Sequence, residues 1–171
     1  MRILYRKIFT VDHDLKHHLP FASDQMIRLL SRAEVWYIDG TFKIIKEPFK
    51  QLFTIHTFIR QGEHAKQVPL MFCMMSGKRK RDYRAVLREV THLMPQIPNV
   101  KKIVLDFEAA VWKAIPKVLP GVQLMGCAFH WMQCIWCKIR NLEFYQHTQL
   151  TTLHTSNGTA VLTIRAHHYD L

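Results

Sequence analysis

Acidic residues are in short supply. The 171-residue chain has 13 Asp and Glu against 24 Lys and Arg, a formal net charge of +11. A balance of this size favours a polyanion partner, because neutralising phosphates releases their counterions; the alternative is a basic domain that binds none. Long apolar runs are missing too. None reaches the ~18 residues of a membrane span, so no membrane partner is expected. Cysteines number four, Cys73, Cys127, Cys134 and Cys137, and three of them crowd into eleven residues. That is not the spread of a secreted disulfide framework. The start, MRILYRKIFT, carries charge where a secretion leader needs an apolar stretch. The expected address is the nucleus or cytosol. Internal repeats and low-complexity tracts are absent as well. What is present is core material: hydrophobic residues make up 49% and charged residues 22%, and the length suits one domain of ~100–200 residues.

Residues 1–33 are mixed and read as a flank, with one helical candidate from Ser23 to Arg32. Ser23 or Asp24 could cap it, and Met26, Leu29 and Leu30 could form its apolar face. From Glu34 the pattern sharpens. Val35 to Ile45 and Gln51 to Arg60 are rich in β-branched and aromatic residues, and Gln67 to Met75 makes a third strand. Short links imply an antiparallel meander. After Gly77 the period becomes helical, with Tyr83, Val86, Leu87, Val90, Leu93 and Met94 on one face until Pro95 and Pro98. Ile103-Val104-Leu105, closed by Asp106, has the look of a buried parallel strand. Phe107 to Val118 predicts another amphipathic helix, Val122 to Met125 a short strand, and Cys127 to Leu142 a third helix.

Three strands followed by helix, strand, helix, strand, helix give an α/β domain with a mixed sheet. A three-strand antiparallel meander passes into α/β crossovers, with helices on both faces. A ribonuclease-H-like layout has this order. The core is expected to span 34–142. Residues 143–171 read as a divergent or weakly ordered tail, in which Asn157-Gly158 signals a type I′ hairpin between 151–156 and 159–165.

Asp39 ends the apolar segment Val35-Trp36-Tyr37-Ile38, and Asp106 ends Ile103-Val104-Leu105. Carboxylates are rarely placed at the edge of a buried strand without a partner. If the two strands are neighbours, both carboxylates enter one crevice, and a hard divalent cation relieves their repulsion. Magnesium prefers oxygen ligands and leaves water positions for phosphate substrates, and a pair of such ions polarises a phosphodiester. The plainer alternatives are a turn residue in Asp39-Gly40 and a helix N-cap at Asp106.

Cys127, His130, Cys134 and Cys137 suggest zinc. On one helix, however, the outer two lie ~15 Å apart at 1.5 Å rise per residue, and a tetrahedral zinc needs all its ligands within ~2.3 Å. Cys127 and His130 alone could supply two zinc ligands or simply pack; Cys134 and Cys137 read as core-facing thiols. Lys78-Arg79-Lys80-Arg81, at the start of a helix, reads as a phosphate-binding patch, a nuclear-import patch or a solvated helix start. Positive charges there oppose the helix dipole, a cost that a nearby anion relieves.

The segments WYIDGTF (36–42), PLMFCMMSGKRKRDY (69–83), VLDFEAAVW (104–112) and GCAFHWMQCIWCKI (126–139) together resemble Mutator-like (MULE) transposases, closest to the animal type often found with FLYWCH zinc fingers. The likeness runs from about Glu34 to Leu142. It implies a ribonuclease-H-like domain whose acidic triad binds magnesium or manganese, with Asp39 as first acid and Asp106 as second. It also implies that Cys127 and His130 match a Cys-x-x-His element. The partner implied is DNA, cleaved and joined by metal-assisted phosphoryl transfer; any self-association would use elements outside this sequence. The third acid of the family is a glutamate well beyond that element. Glu143 is the sole glutamate after Cys127, and 29 residues follow Leu142. The expectation is a copy cut short before its last acid. A non-catalytic DNA-binding remnant and a zinc-dependent interaction module are the competing readings.

Overall fold

The computed structural model describes residues 9–11, 16–41 and 45–141. The chain divides into two compact units, 1–127 and 128–171. The first unit holds strands β1 (Phe9–Val11) and β2 (Lys16–Phe21), helix α1 (Asp24–Arg32), strands β3 (Val35–Thr41), β4 (Gln51–Gln61) and β5 (His64–Met75), helix α2 (Lys80–His92), strand β6 (Lys102–Leu105), helix α3 (Ala109–Ala114) and strand β7 (Gln123–Gly126). The second holds helix α4 (Ala128–Asn141). None of the described helices is long and apolar enough to cross a membrane.

The seven described strands form one sheet in the order β1-β2-β5-β4-β3-β6-β7. The meander expected from the sequence is present: β3 pairs antiparallel with β4, and β4 with β5. β6 then joins β3 in parallel and β7 joins β6 in parallel. A parallel partner needs a crossover, because the chain must return to its starting edge; α2 makes the first and α3 the second.

Alternation along the strands sends one set of side chains to a single dry face. Trp36 and Ile38 of β3, Phe53 and Ile55 of β4, Cys73 and Met75 of β5, and Ile103 and Leu105 of β6 are all buried. The indole N–H of Trp36 donates to Leu30 O at 3.1 Å, which fixes α1 against this face. Tyr83 of α2 meets Phe53 with ring centroids 5.5 Å apart, and α3 packs on α2. The three helices of this unit therefore cover one face of the sheet. The other face carries Tyr37, Asp39, His56, Phe72 and Val104, all half-buried.

Several local expectations change. Residues 16–21 form a strand beside β5, although KHHLPF has neither the composition nor the alternation of one; pairing with an already formed hairpin overrides propensity. Residues 9–11 and 16–21, within the expected flank, thus share the central sheet. Ser23 caps α1 by accepting from Met26 N–H at 3.2 Å. That helix buries Ile27, Leu30 and Ser31 and leaves Leu29 exposed, a face rotated from the expected one. The helix predicted over 107–118 is shorter: α3 ends at Ala114 and tightens into a 3-10 turn, Ile115–Lys117, because Pro116 has no N–H for the α ladder. The hairpin signal at Asn157-Gly158 lies outside the described residues.

Candidate functional site

β3 and β6 run side by side with Trp36 opposite Ile103 and Ile38 opposite Leu105. The next residue along each strand is Asp39 and Asp106. The register thus brings both positions to the same end of two adjacent strands, which run about 4.8 Å apart. Leu105 in turn faces Gly126 of β7, so Cys127 is the third residue in this row. Its N–H donates to Leu105 O at 2.8 Å. The row stands at the carboxyl ends of three adjacent parallel strands, where open α/β sheets form their ligand crevices.

Asp39 and Asp106 are half-buried. Asp39 O accepts from the Thr54 hydroxyl at 3.3 Å. Thr54 Oγ1 also lies 2.8 Å from His56 Nε2. A hydroxyl has one proton to give; with that proton on Asp39 O, the imidazole must be the donor in the second bond. Burial keeps the imidazole below its ordinary range, against the pull of the Asp39 charge.

Asp106 is fixed by its own loop. Its Oδ1 accepts from Glu108 N–H at 3.2 Å, and its carbonyl accepts from the Trp112 indole N–H at 2.6 Å. Glu108 stands at the N-cap of α3. Burial pushes its carboxyl up, against a hydrogen bond from Tyr83 and the nearby charge of Lys78, while the Asp106 charge acts with the burial.

The basic run reaches the same edge. β5 is antiparallel to β4 and therefore parallel to β3, and its last residue, Met75, pairs with Gln51. The turn that follows leaves at the end of the sheet that holds Asp39 and Asp106. Arg79 is the N-cap of α2, and Lys80 and Arg81 open the helix. Lys78 and Arg81 are half-buried; Arg79 and Lys80 are exposed. The dipole cost of these charges is met from inside: Asp82, fully buried, accepts from Arg79 N–H at 2.7 Å. Sequence reasoning passed over Asp82. A capping-box spacing from Arg79 was its only signal, and arginine is not a capping residue.

The cysteine–histidine set is not gathered into one centre. Helix α4 begins at Ala128, so Cys127 precedes it and is tied to β6, whereas one helical turn had been expected to carry both Cys127 and His130. Cys134 and Cys137, expected to face a core, are exposed on α4 together with Trp131 and Trp136. Among the described residues no group of three or more His, Cys, Asp or Glu side chains is arranged to hold a metal ion.

A family model of the MULE transposase domain matches residues 35–134, which span the strand-end acids, the basic turn and the start of α4. The chain belongs to the MULE transposase family. No curated protein matches the sequence. Within the MULE match, the two acids come from β3 and from the loop after β6, elements that only the α2 crossover brings together. Oxygen-only donors on a half-exposed edge suit a hard divalent cation, which is commonly held by one or two carboxylates with water and phosphate completing the shell.

Proposed function

We propose that this MULE domain is the catalytic core of a DNA transposase, acting on phosphodiester bonds at the carboxyl edge of its sheet, and that it works in the nucleus. The strand order β5-β4-β3-β6-β7, an antiparallel meander extended by two parallel strands, supports a ribonuclease-H-like reading of the fold. The observation that carries the functional reading is the parallel register of β3 and β6, which sets Ile38 opposite Leu105, the residues just before Asp39 and Asp106.

In this reading Asp39 and Asp106 hold Mg2+ or Mn2+ between them. When bound, such ions polarise the attacking and leaving oxygens of a phosphodiester. Lys78, Arg79, Lys80 and Arg81, at the same edge, take backbone phosphates and set the position of the strand without reading its bases. Water is the nucleophile in cleavage and a DNA 3′-hydroxyl in joining. Thr54 holds the backbone at Asp39, and the Glu108 N–H holds the Asp106 carboxylate in place before the cation arrives.

The test is nicking of plasmid DNA by the whole chain with Mg2+ or Mn2+, compared with Asp39→Asn and Asp106→Asn. Nicking lost in both variants, with folding intact by circular dichroism, supports the reading. Nicking unchanged in either variant overturns it. The basic turn also favours a second reading, DNA binding without cleavage, because phosphate contacts need no metal. Salt-sensitive binding with no nicking by the wild type would support that alternative.

A further inference from the structure

The buried carboxylate beneath the basic turn is faced by a strand that lies outside the MULE match. Strand β2 ends at Phe21, and the match begins at residue 35. Its register on β5 sets His18 opposite Met75, the last residue of β5, from which the chain runs on into the basic turn. His18 is fully buried there. Its Nε2 stands 3.8 Å from Asp82 Oδ1, and neither side chain is reached by solvent. The other oxygen of that carboxylate, Oδ2, accepts from the Arg79 N–H at 2.7 Å. One carboxylate thus joins β2, the basic turn and α2.

Placing an imidazole and a carboxylate in a core costs free energy unless they are paired or hydrogen-bonded. The Arg79 N–H answers only one of the two Asp82 oxygens. Among the described residues Oδ1 accepts no hydrogen bond, and the His18 imidazole stands at ion-pair distance from it. An apolar side chain would fill the place opposite Met75 without that cost. What the imidazole adds is a hold on the orientation of the carboxylate. With Oδ1 facing β2, Oδ2 is turned to the Arg79 N–H, which fixes where Lys78, Arg79, Lys80 and Arg81 leave the core.

We propose that His18 is a positioning residue for the basic turn, acting through Asp82. The proposal rests on the phosphate reading of that turn for its consequence in DNA binding, and the order of the Arg79 N–H tests it without DNA. Hydrogen bonds to charged groups are worth about tenfold or more in a local equilibrium.

The experiment uses the whole chain and two readouts. One is amide hydrogen exchange at Arg79 without DNA, and the other is affinity for a duplex oligonucleotide at fixed salt. His18→Phe keeps the bulk and removes the ring nitrogens. It is expected to speed exchange at Arg79 by about tenfold, a local opening, and to weaken oligonucleotide binding by about threefold, because a turn that opens more often must be closed on binding. His18→Gln, which returns a polar group, should fall between His18→Phe and the wild type in both. His18→Phe combined with Asp82→Ala should exchange no faster than Asp82→Ala alone, because both cut one link. Ile27→Val, which trims a buried residue of α1, should leave Arg79 exchange unchanged. Wild-type exchange at Arg79 in His18→Phe overturns the proposal, as does an equal rise in Ile27→Val. Should His18→Phe fail to fold, His18→Gln decides: faster exchange at Arg79 supports the proposal and the wild-type rate overturns it. If Lys78→Gln, Arg79→Gln, Lys80→Gln and Arg81→Gln together leave oligonucleotide affinity at the wild-type value, the phosphate reading falls instead, and Arg79 exchange still decides the role of His18.

Discussion

The backbone N–H of Arg79 donates to the carboxylate of Asp82 at 2.7 Å, and Asp82 is fully buried while Arg79 is exposed. One short contact thus turns the chain from a basic surface loop into a helix of the core. Asp82→Ala removes the acceptor and should lower stability by about 1–2 kcal/mol, the usual worth of such a cap. Asp82→Asn keeps one acceptor oxygen and should lose less. Thermal melting of the two variants checks the order; an alanine variant as stable as the wild type would remove Asp82 from this role.

The basic turn gives a prediction about salt. Each phosphate contact contributes about −0.9 to the slope of log K against log salt on duplex DNA. Replacing Lys78, Arg79, Lys80 and Arg81 by Gln should flatten that slope by up to about four contacts' worth and weaken all sequences alike. Fluorescence anisotropy across a salt series measures it. An unchanged slope would mean that these side chains meet only solvent.

His56 sets a pH dependence. Its folded value lies below its ordinary 6.5, chiefly because of burial. The unfolded chain therefore takes up this proton at a higher pH than the folded one. Stability from this residue is fully present above about pH 6.5 and falls as the pH drops toward the lower folded value. His56→Gln should flatten that part of the profile relative to the wild type. Denaturant melts between pH 5 and 8 compare the two, and identical profiles would show that the imidazole does not contribute.

Leu105 is fully buried on β6 opposite Ile38. Leu105→Ala should cost about 2–5 kcal/mol, the range for a leucine cut out of a packed core, and should loosen the strand end that presents Asp106. Phe107 is half-exposed, so Phe107→Ala should change stability by no more than about 0.5 kcal/mol. Urea unfolding of both variants tests the contrast.

Much of this arrangement could be read from residue order. Strands β3 to β5 announce themselves through β-branched and aromatic runs, and Ile103-Val104-Leu105 through its continuous apolar character, which only a doubly covered or parallel strand tolerates. Asp39 and Asp106 were visible because a carboxylate at the end of such a run is unusual. Other features left no such mark. β2 is a strand because β5 offers it an edge, and its own composition gives no hint. Thr54, through Asp39, and the Gln51 amide, 2.7 Å from the Tyr83 hydroxyl, act through contacts between elements distant in sequence, so no spacing rule reveals them; Asp82 carried only a capping-box spacing from a residue that does not normally cap. Cys134 and Cys137 show the reverse failure. Their apolar neighbours suggested a core, but an apolar helix stripe says only that a surface wants covering, and on α4 those thiols are exposed.

Asp39 and Asp106 are 67 residues apart in the chain, joined in space only through the parallel pairing of β3 with β6. Contacts that close so long a loop form late, after local hairpins and helices are in place. The meander β3–β5 can assemble from neighbours alone and would display Asp39 by itself. A chain that stopped before residue 106 would have no second carboxylate to set beside Asp39. Assembly of the acidic edge therefore reports on completion of the crossover.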